Sequence, residues 1–591
     1  MRAAVERRAG APGLGIALAP VLALALAFAP AAARADTLRD ARQAVDAHQY
    51  ATALPLYETL LAQQPGNADL LIEMARVYGF ADRHNEAIAT YLRVLEVAPA
   101  RRRDVLGSLA WQTLWSGDAA AALPLFVEAQ DHAADAKARA DLLRGEGEAQ
   151  AALGDTRGAL AAYQKAARLR PEDRDLKRRI AQAWLWLDDY AQAEGAWRAL
   201  LAEDPNDRRS QAGLARTLNA AGRHNEAIRA YATLDDGSDA DVRLDHARAM
   251  NWAGYPAPAY ALLDGRTDHD AVWLRDWRID REQISYAYGT AEYATDADGL
   301  DVASITGAAG KWLAPRMLGE VGYRYVNLND DDGNVNGHRL YATLRGAIGE
   351  PGVTPPGLVI PAISIGLNDY NGWTPITGNA SVRWMPVDLW RISADLGREL
   401  VETPLAVDNR ITVDVGSLGV EYRAPPHWEF AGALSYLRFS DDNNRSRVNG
   451  SIGYALRFNP KVVVGIEGAA FEDSLPASYA AVPPPGTTAP HGYWNPKRYA
   501  EGRVFAGIWG EKQPWEWYGR VALGASRETD GDGNTTNGNP NLLEAGVAYD
   551  VGPRLRWRAF VGGSGSSFAV GNGGAGYWRR YIGFNLTAWF K

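Results

Sequence analysis

The heptapeptide WRISADL at Trp390–Leu396 alternates strictly between apolar and polar side chains. In an extended strand, one face carries Trp390, Ile392, Ala394 and Leu396, and the other carries Arg391, Ser393 and Asp395. A period of two residues is typical of a β-strand with one apolar and one polar face. Similar segments, separated by clusters of Gly, Pro, Asn and Asp, recur from Gln283 to the end of the chain. The second half of the sequence therefore predicts a β domain.

Connection lengths favour a membrane barrel over a soluble β domain, which alternates in the same way. Every second connection is short, as at Pro386-Val387-Asp388, and the intervening ones are longer and more polar, as at Asn327–Gly337 and Glu472–Pro496. Short turns at one end and long loops at the other are typical of outer-membrane barrels. We predict an antiparallel transmembrane β-barrel of about 16 strands, with a soluble β domain as the alternative.

The C-terminal strand supports the barrel. Apolar Ile582, Phe584 and Leu586 alternate with smaller or polar residues, and the series ends in Phe590, one residue before the end of the sequence. A last strand of this kind resembles the signal that the outer-membrane assembly machinery reads. It indicates that the barrel includes the C-terminus.

The first 35 residues predict a targeting segment. Arginines near the N-terminus precede an apolar stretch from Leu14 to Ala29, and Ala33-Arg34-Ala35 provides a small-x-small cleavage site. These three features describe a secretory signal peptide, removed from the mature protein. A single N-terminal membrane anchor is the alternative. We expect an exported protein.

Residues 36–270 repeat with a period near 34. The hexapeptide RHNEAI occurs at Arg83–Ile88 and again at Arg223–Ile228, an offset of 140 residues or four repeats of 35. The segments resemble tetratricopeptide repeats, which are helix–turn–helix units that stack because one pair alone buries too little apolar surface. We predict a superhelix of about seven repeats, a linker at 271–282 and the barrel at 283–591. The fold class is thus α + β multidomain.

Residue types within the repeats agree with this fold. Small Ala75 and Ala87 would let paired helices approach, and Tyr91 would fill the groove beside them. Three further tryptophans either line a binding face or belong to the core between repeats; both alternatives stay open. They are Trp111, Trp115 and Trp186.

Composition excludes several classes of function. The chain has 591 residues, a formal net charge of -9 and no cysteine. The acidic balance argues against nucleic-acid binding, and the missing cysteine excludes disulfides and thiolate metal sites. The sequence contains no recognisable catalytic constellation. We therefore expect a protein that is not an enzyme and that needs no cofactor or metal.

If the apolar strand faces meet lipid, the polar faces line the lumen. This assignment gives a wall of mixed charge with interspersed aromatic rings, which suits the hydroxyls and ring faces of a sugar polymer. The alternative is that these charges pair across strands within a water-filled lumen. The candidate pore-lining and polymer-binding residues are Glu320, Arg324, Arg339, Tyr341, Arg345, Arg391, Asp395, Glu399, Asp414, Tyr499, Glu501, Arg503, Glu516, Arg520, Arg556 and Arg558.

Two short stretches carry a family resemblance. Gly492–Tyr499 reads GYWNPKRY, and Arg398–Pro404 reads RELVETP. Together with the order of targeting segment, repeats and strands, they resemble the outer-membrane secretins of synthase-dependent exopolysaccharides. That family includes the poly-β-1,6-N-acetylglucosamine export porin and the cellulose-export subunit. Its members carry longer repeat arrays than the one here.

The resemblance implies a function and a location. It implies an outer-membrane pore of a Gram-negative bacterium that exports a polysaccharide from the periplasm to the cell surface. The repeats would lie in the periplasm, where they guide the polymer or recruit a polymer-modifying enzyme or the inner-membrane synthase complex. The implied partners are therefore the polysaccharide, outer-membrane lipid and one such protein. The alternative is a surface adhesin or phage-receptor barrel with a periplasmic repeat scaffold and no polymer transport.

Overall fold

The computed structural model describes residues 34–477, 492–565, 571–574 and 576–591. The predicted signal peptide at 1–35 lies outside these residues, apart from its last two positions. The chain divides into two compact units, one ending at Leu187 and the other running from Asp188 to Lys591. The first unit is helical, and the second contains further helices and a large antiparallel sheet.

Fourteen consecutive α-helices occupy the described residues up to Leu263 and form seven helix–turn–helix pairs along the sequence. The prediction of an N-terminal tetratricopeptide-repeat region is confirmed. The helices are α1 (34–46), α2 (Tyr50–Gln63), α3 (Ala68–Phe80), α4 (His84–Val97), α5 (Arg102–Trp115), α6 (Ala119–Gln130), α7 (Ala136–Ala152), α8 (Thr156–Leu169), α9 (Arg174–Trp186), α10 (Tyr190–Glu203), α11 (Arg208–Ala220), α12 (His224–Leu234), α13 (Ala240–Trp252) and α14 (Pro256–Leu263).

The segment between the repeats and the sheet is also helical. It contains α15 (His269–Trp273), a π-helical turn at Leu274–Ile279 and a 3-10 turn at Asp280–Glu282. Each element begins where the previous one ends, so the chain enters the sheet without an extended stretch. The residues that we predict as a linker therefore have regular backbone structure.

Aspartate side chains determine where many of the helices begin. The Asp118 carboxylate accepts a hydrogen bond from the Ala121 backbone N–H at 2.9 Å, and Asp155 and Asp189 cap α8 and α10 in the same way. A side-chain oxygen at this position satisfies an amide that has no partner within its own helix. These caps keep the turns between paired helices short.

Small side chains let the helices approach closely, as the sequence predicts. Ala75 and Ala87 are completely buried in the first unit, and Tyr91 is buried in the same cluster. In the second unit, the Trp197 ring lies over Gly213, where a Cβ atom would come within 2.5 Å of the ring. The large aromatic side chain thus fills the space that the glycine leaves open.

Seventeen strand segments follow the helices in the described residues, and a sixteenth helix, α16 (Pro404–Asp408), lies between two of them. The strands are β1 (Ser285–Asp296), β2 (Asp301–Ala314), β3 (Met317–Asp330), β4 (Gly333–Gly346), β5 (Leu358–Tyr370), β6 (Ile376–Met385), β7 (Trp390–Leu400), β8 (Thr412–Ala424), β9 (Trp428–Phe439), β10 (Asn444–Phe458), β11 (Lys461–Asp473), β12 (Arg498–Lys512), β13 (Trp515–Thr529), β14 (Thr535–Gly538), β15 (Leu542–Gly552), β16 (Leu555–Ser564) and β17 (Arg579–Phe590).

The strands close into an antiparallel barrel with 16 positions. β14 and β15 share one position, because β14 pairs with Ser526–Thr529 of β13 and β15 pairs with Trp515–Ala522. β1 pairs with β17, from Ser285 opposite Phe590 to Asp296 opposite Arg579. A closed barrel leaves no open sheet edge, as a lipid environment requires. The predicted fold class, with about 16 strands, is confirmed.

The two faces of the barrel differ in polarity. Ile305, Leu396 and Leu543 are 62%, 69% and 67% exposed and lie on the outer face. Residues directly opposite each other in an antiparallel pair share a face, so the register assigns every strand position to the outside or the inside. Apolar side chains outside and polar side chains inside are the arrangement of a membrane barrel.

We call the end of the barrel that carries Ser285 the repeat-side end and the opposite end the far end. Several connections depart from the predicted alternation of lengths, and at the far end β1–β2 and β9–β10 are joined by only four residues each. The connection at 347–357 on the repeat-side end is long, and β3 and β4 at the far end are joined through only two residues, Asp331 and Asp332. Asparagine side chains that we expected in a loop, such as Asn327 and Asn336, instead bond to each other across the hairpin at 3.0 Å.

Within the second unit, the last helices contact the repeat-side end. The Asn225 backbone and side-chain N–H groups donate to the Asp388 carboxylate at 2.8 and 2.7 Å, and its side-chain oxygen accepts from the Gly352 N–H at 2.8 Å. Elsewhere on the same end, Arg281 pairs with Asp550 at 2.8 Å. The helices after Asp188 are therefore fastened to the barrel at two places.

We expect the second unit to lose stability in mild acid because of His224, at the start of α12. Burial and the charge of Arg423 lower the pKa of His224 to about 4, whereas an unfolded histidine titrates near 6.5. As the pH falls between these values, the unfolded chain takes up a proton that the folded chain excludes. Stability is therefore full above pH 6.5 and falls below it, by roughly 3 kcal/mol in total.

Thermal unfolding of the detergent-solubilised full chain at pH 7.5 and pH 4.5 measures this loss. The His224→Gln variant keeps a polar side chain at the position but cannot titrate, so it should lose less stability than the wild type. Equal losses in both proteins would assign the effect to other buried groups, such as His246, whose pKa burial also lowers, and contradict the prediction.

Candidate functional site in the barrel interior

Most of the predicted lining residues lie on the inner face of the barrel. The register places Glu320 and Arg324 on the face opposite to Val321, which is 60% exposed, and the same relation holds around the sheet. The inward residues of the predicted set are Glu320, Arg324, Arg339, Tyr341, Arg345, Arg391, Asp395, Glu399, Tyr499, Glu501, Arg503, Glu516, Arg520, Arg556 and Arg558.

Asp414 is the exception and corrects our expectation. It lies opposite Arg398 on the outer face, the face of Leu396, and accepts a hydrogen bond from the Arg398 Nε at 2.6 Å. Its neighbour Val413 points inward instead and is buried against the connection at 401–411. The polarity of the two faces is thus reversed at the far end of β8, because folded chain rather than water meets the wall there.

Charged side chains of the inner face pair with each other across strands that are adjacent or separated by one strand. Each pair joins a basic and an acidic group at 2.5 to 2.9 Å, and Arg556 also contacts Asp550 at 2.8 Å. Several of these charges therefore fit the alternative that we gave, in which they pair across strands within a water-filled lumen. The interior presents paired charges of both signs rather than a filter for one sign. The pairs are Arg391–Glu421, Lys461–Glu429, Arg503–Glu467 and Arg556–Glu516.

The short helix α16 lies inside the far end of the barrel. Val407 of this helix packs with Val326 of β3, and Ala406 packs in a separate cluster with Val413 of β8. These strands belong to different parts of the wall, with four strands between them. The helix therefore reaches from one side of the interior to another and narrows the far end.

Glu402 fastens this connection to the wall. Its carboxylate accepts hydrogen bonds from Arg324 Nη2 at 3.0 Å and from the Tyr370 hydroxyl at 2.8 Å. Burial alone would raise the pKa of Glu402, but the bonds from Arg324 and Tyr370 outweigh it and hold the pKa below its usual range. The carboxylate is therefore charged at neutral pH, and the ion pair holds α16 in the lumen.

A second inward connection is held by a fully buried ion pair. The side chains of Arg445 and Asp473 are both 0% exposed, with Nε and Oδ1 at 3.0 Å. Arg445 also donates from Nη2 to the Trp494 carbonyl at 2.6 Å, and its guanidinium lies 4.2 Å from the centre of the Phe471 ring. These contacts hold Trp494 inside the barrel, where its indole N–H donates to Glu528 at 2.9 Å.

The inward connections are joined to one another. The Thr403 hydroxyl donates to the Gly492 carbonyl, and the Trp494 backbone N–H donates to the Gly571 carbonyl at 2.9 Å. Thr403 and Gly492 belong to the two stretches that carry the family resemblance. The two stretches therefore meet in space and build one structure at the far end.

Sequence reasoning missed this far-end structure. A signal was present, because Thr403 is a good N-cap and Pro404 suits the first position of a helix, and apolar residues follow in an otherwise polar connection. Arg445 and Asp473 gave no such signal. In the sequence they look like other charged residues of inward strand faces, and only the fold brings Trp494 against them.

The three tryptophans of the repeats have different surroundings. Trp111 packs edge-on against Phe126, with ring centres 4.9 Å apart, in a core cluster of the first unit. Trp115 and Trp186 end α5 and α9 and are 53% and 56% exposed. The core alternative therefore applies to Trp111, whereas Trp115 and Trp186 offer aromatic surface to solvent.

Among the described residues, no group of three or more His, Asp or Glu side chains lies close enough together to hold a metal ion. No helix within the described ranges is both long enough and apolar enough to cross a membrane.

Two known families match the chain, one in the repeat region and one in the barrel. Residues 44–111 and 150–217 match the tetratricopeptide repeat family, and residues 363–473 match the PgaA membrane beta barrel domain. No curated protein sequence matches the chain.

Solved structures similar to parts of the chain have low sequence identity. A bacterial polysaccharide outer membrane secretin is 14% identical, covering 52% of this chain and 99% of its own, with a TM-score of 0.41. A tetratricopeptide repeat protein from Parabacteroides merdae is 15% identical, covering 41% of this chain and 97% of its own, with a TM-score of 0.36.

The family matches and the architecture agree. The first matched family covers helical pairs of the repeat region, and the second covers β6 to β11 with part of β5, including α16 inside the barrel. The closed sheet has the apolar outside and polar inside of a membrane barrel. The chain therefore combines a helical region that matches the tetratricopeptide repeat family with a closed barrel, part of which matches the PgaA membrane beta barrel domain.

Proposed function

We propose that this protein is an export porin that carries a polysaccharide from the periplasm through the barrel to the cell surface. The observation that carries the proposal is the PgaA membrane barrel match at 363–473, within a closed barrel that is polar inside. The far end would face the cell exterior and the repeat-side end the periplasm. The protein would act as a conduit and catalyse no reaction.

The inner wall supports a sugar polymer as the cargo. Its charges are paired across strands, so a neutral or weakly charged chain would meet no strong field of one sign. Tyrosine rings such as Tyr341 lie among these pairs and offer apolar faces beside hydrogen-bonding groups. A lining that combines aromatic surface with a few polar groups is typical of small-molecule and sugar sites.

The repeats would act on the polymer before it enters the barrel. The helices after Asp188 are fastened to the repeat-side end through Asn225 and Arg281, so they would deliver a bound chain to its opening. The exposed rings of Trp115 and Trp186 provide surface for the polymer or for a protein that modifies or synthesises it. We propose that the repeats guide the polymer or recruit such a periplasmic partner.

The far-end structure supports a second candidate. α16 and Trp494 lie inside the barrel, and a permanently obstructed barrel would suit a surface adhesin or phage receptor. Planar bilayer recordings separate the candidates. An export porin should conduct ions, at least intermittently, whereas an obstructed receptor should stay closed under all voltages tested.

A deletion strain tests the export proposal directly. We expect deletion of the gene to abolish surface polysaccharide while polymer still forms inside the cell, because synthesis does not depend on the outer-membrane conduit. Chemical analysis of the surface and periplasmic fractions measures both pools. Complementation with the wild-type gene provides the control. Unchanged surface polysaccharide in the deletion strain would refute the proposal.

A further inference from the structure

A tyrosine, a glycine and a glutamate lie side by side on three neighbouring strands of the inner wall. Tyr286 of β1 is opposite Gly310 of β2, and Gly310 is opposite Glu320 of β3. The Tyr286 hydroxyl donates to the Glu320 carboxylate at 2.5 Å. A Cβ atom at Gly310 would lie 2.4 Å from the tyrosine ring. The ring therefore lies flat against the backbone of β2.

The same arrangement occurs a second time. Tyr581 of β17 is opposite Gly562 of β16, and Gly562 is opposite Glu544 of β15. The Tyr581 hydroxyl donates to the Glu544 carboxylate at 3.1 Å, and a Cβ atom at Gly562 would lie 2.3 Å from the ring. We call the two sets, Tyr286–Gly310–Glu320 and Tyr581–Gly562–Glu544, the tyrosine platforms.

The glycines are best explained by the rings above them. Glycine in the middle of a strand weakens the strand and marks a bulge, a bend or a close approach. The register shifts in these ladders, at Trp312/Ala314 and Asp550/Gly552, lie outside the pairs that Gly310 and Gly562 form, and neither glycine has a positive φ. Close approach of the tyrosine ring remains as the reason. It leaves one ring face on the wall and turns the other towards the lumen.

The first platform lies beside an opening that a ligand can enter. Tyr286 and its neighbour Tyr288 line a cavity of about 990 Å³ at the repeat-side end, together with Trp589 and Arg345. The Tyr288 hydroxyl meets that of Tyr341 at 3.1 Å, which extends the aromatic surface from β1 to β4. A chain entering from the repeats would meet this surface first.

We propose that the two tyrosine platforms are binding subsites for pyranose units with equatorial substituents, a proposal that rests on the export function above. In such sugars the equatorial substituents leave C–H groups on the ring faces, which stack on an aromatic face. The platform glutamate, held beside the ring by the tyrosine hydroxyl, offers carboxylate oxygens that accept hydrogen bonds from sugar hydroxyl or amino groups. Each platform thus supplies both parts of sugar recognition.

A flat aromatic ring over a glycine does not by itself indicate a ligand. On the outer face, the Trp517 ring covers Gly510, where a Cβ atom would lie 2.1 Å from the indole. That pair faces lipid, whereas the platforms face the lumen and carry an acidic acceptor. The outer pair provides a matched control, because Gly510→Ala creates the same clash without touching the inner wall.

Binding of short oligosaccharides to the full chain tests the proposal. The protein is purified in lauryldimethylamine oxide, which carries no sugar headgroup, and titrated calorimetrically with cellohexaose and with a β-1,4-glucosamine hexamer. We expect at least one of them to bind the wild type. The Tyr286→Ala/Tyr581→Ala double variant should bind it about tenfold more weakly.

Three further variants separate stacking from general damage. Gly310→Ala should weaken binding because it lifts the Tyr286 ring, whereas Gly510→Ala should leave the affinity unchanged. Tyr286→Phe keeps the ring and should lose less affinity than Tyr286→Ala. Heat-modifiable mobility on gels confirms that each variant still forms the barrel.

The possible outcomes decide between the platforms and the export function. Wild-type binding of neither hexamer, or equal binding by the wild type and the double variant, would overturn the platforms. Neither result affects the deletion experiment, in which loss of surface polysaccharide supports export independently. Intact export in the deletion strain, with platform-dependent binding in vitro, would refute export alone.

Discussion

Replacing residues 402–409 by a flexible Gly/Ser linker of equal length should raise the single-channel conductance of the barrel several-fold. This segment contains α16, which packs against β3 through Val407 and against β8 through Ala406. Without it, apolar side chains such as Val413 would face water, and the far end would widen. Recordings in planar bilayers measure the change. In cells, the variant should admit antibiotics too large for the intact outer membrane.

A point variant tests the same role of α16 with less disturbance of the barrel structure. Glu402→Ala removes the carboxylate that Arg324 and Tyr370 hold, so α16 should leave its place more often and the open fraction should rise. The control is Asp331→Ala/Asp332→Ala, which removes two exposed acidic residues from the same end without touching α16. Conductance that stays at the wild-type level after replacement of 402–409 would show that α16 does not limit passage.

Acid should weaken the ion pair between Glu402 and Arg324. The pKa of Glu402 is held below its usual range by its bonds with Arg324 and Tyr370, so the ion pair contributes fully above about pH 4.5. This contribution is lost as the pH falls further, through the lowered pKa, and the open fraction should then increase. Glu402→Gln cannot titrate, and its recordings should show a smaller change over this acidic range.

Arg445→Ala should be the most destabilising single change in the barrel. It leaves Asp473 buried without its partner and releases the Trp494 carbonyl, in a site where both charged side chains are 0% exposed. Breaking a buried ion pair by removing one partner costs about 3–5 kcal/mol. We expect a lower temperature for the loss of heat-modifiable gel mobility, and a red shift of tryptophan fluorescence as Trp494 becomes solvated.

The matched control is Arg498→Ala, two strands away at the same end. Arg498 pairs with Glu472 at 3.4 Å, and the two side chains are 73% and 61% exposed. Exposed pairs of this kind contribute little to stability. If Arg498→Ala and Arg445→Ala lower the unfolding temperature equally, the effect comes from charge at this end and not from the buried site.

The fold was predictable because its periods are explicit in the sequence. The repeated RHNEAI hexapeptide and the alternation around Trp390–Leu396 each report a regular backbone. The inward direction of the polar side chains also followed, since most residues chosen from the polar faces lie inside the barrel. Asp414 did not follow this rule, because at its level the wall packs against folded chain and the apolar side points inward.

The inward connections and the tyrosine platforms could not be predicted from the periodicity of the sequence. Glu402 and Trp494 lie in connections, where no period indicates a direction, and their partners come from strands distant in sequence. The tyrosine platforms depend on which residues become neighbours across three strands. Alternation gives the face of Tyr286 but not its place beside Gly310, since that requires the register of the hairpin.

The pairing of β1 with β17 has a consequence for biogenesis. Ser285 pairs with Phe590, which is synthesised 305 residues later, so β1 and β17 cannot pair before then. The repeats are complete long before that moment, and distant pairings of this kind form slowly. Until the twelve residues of β17 are synthesised, the incomplete sheet has two unpaired edge strands, which are prone to aggregation. A chaperone that shields β1 would thus be needed until translation ends. A stop codon before Arg579 would remove β17 and leave a barrel that cannot close.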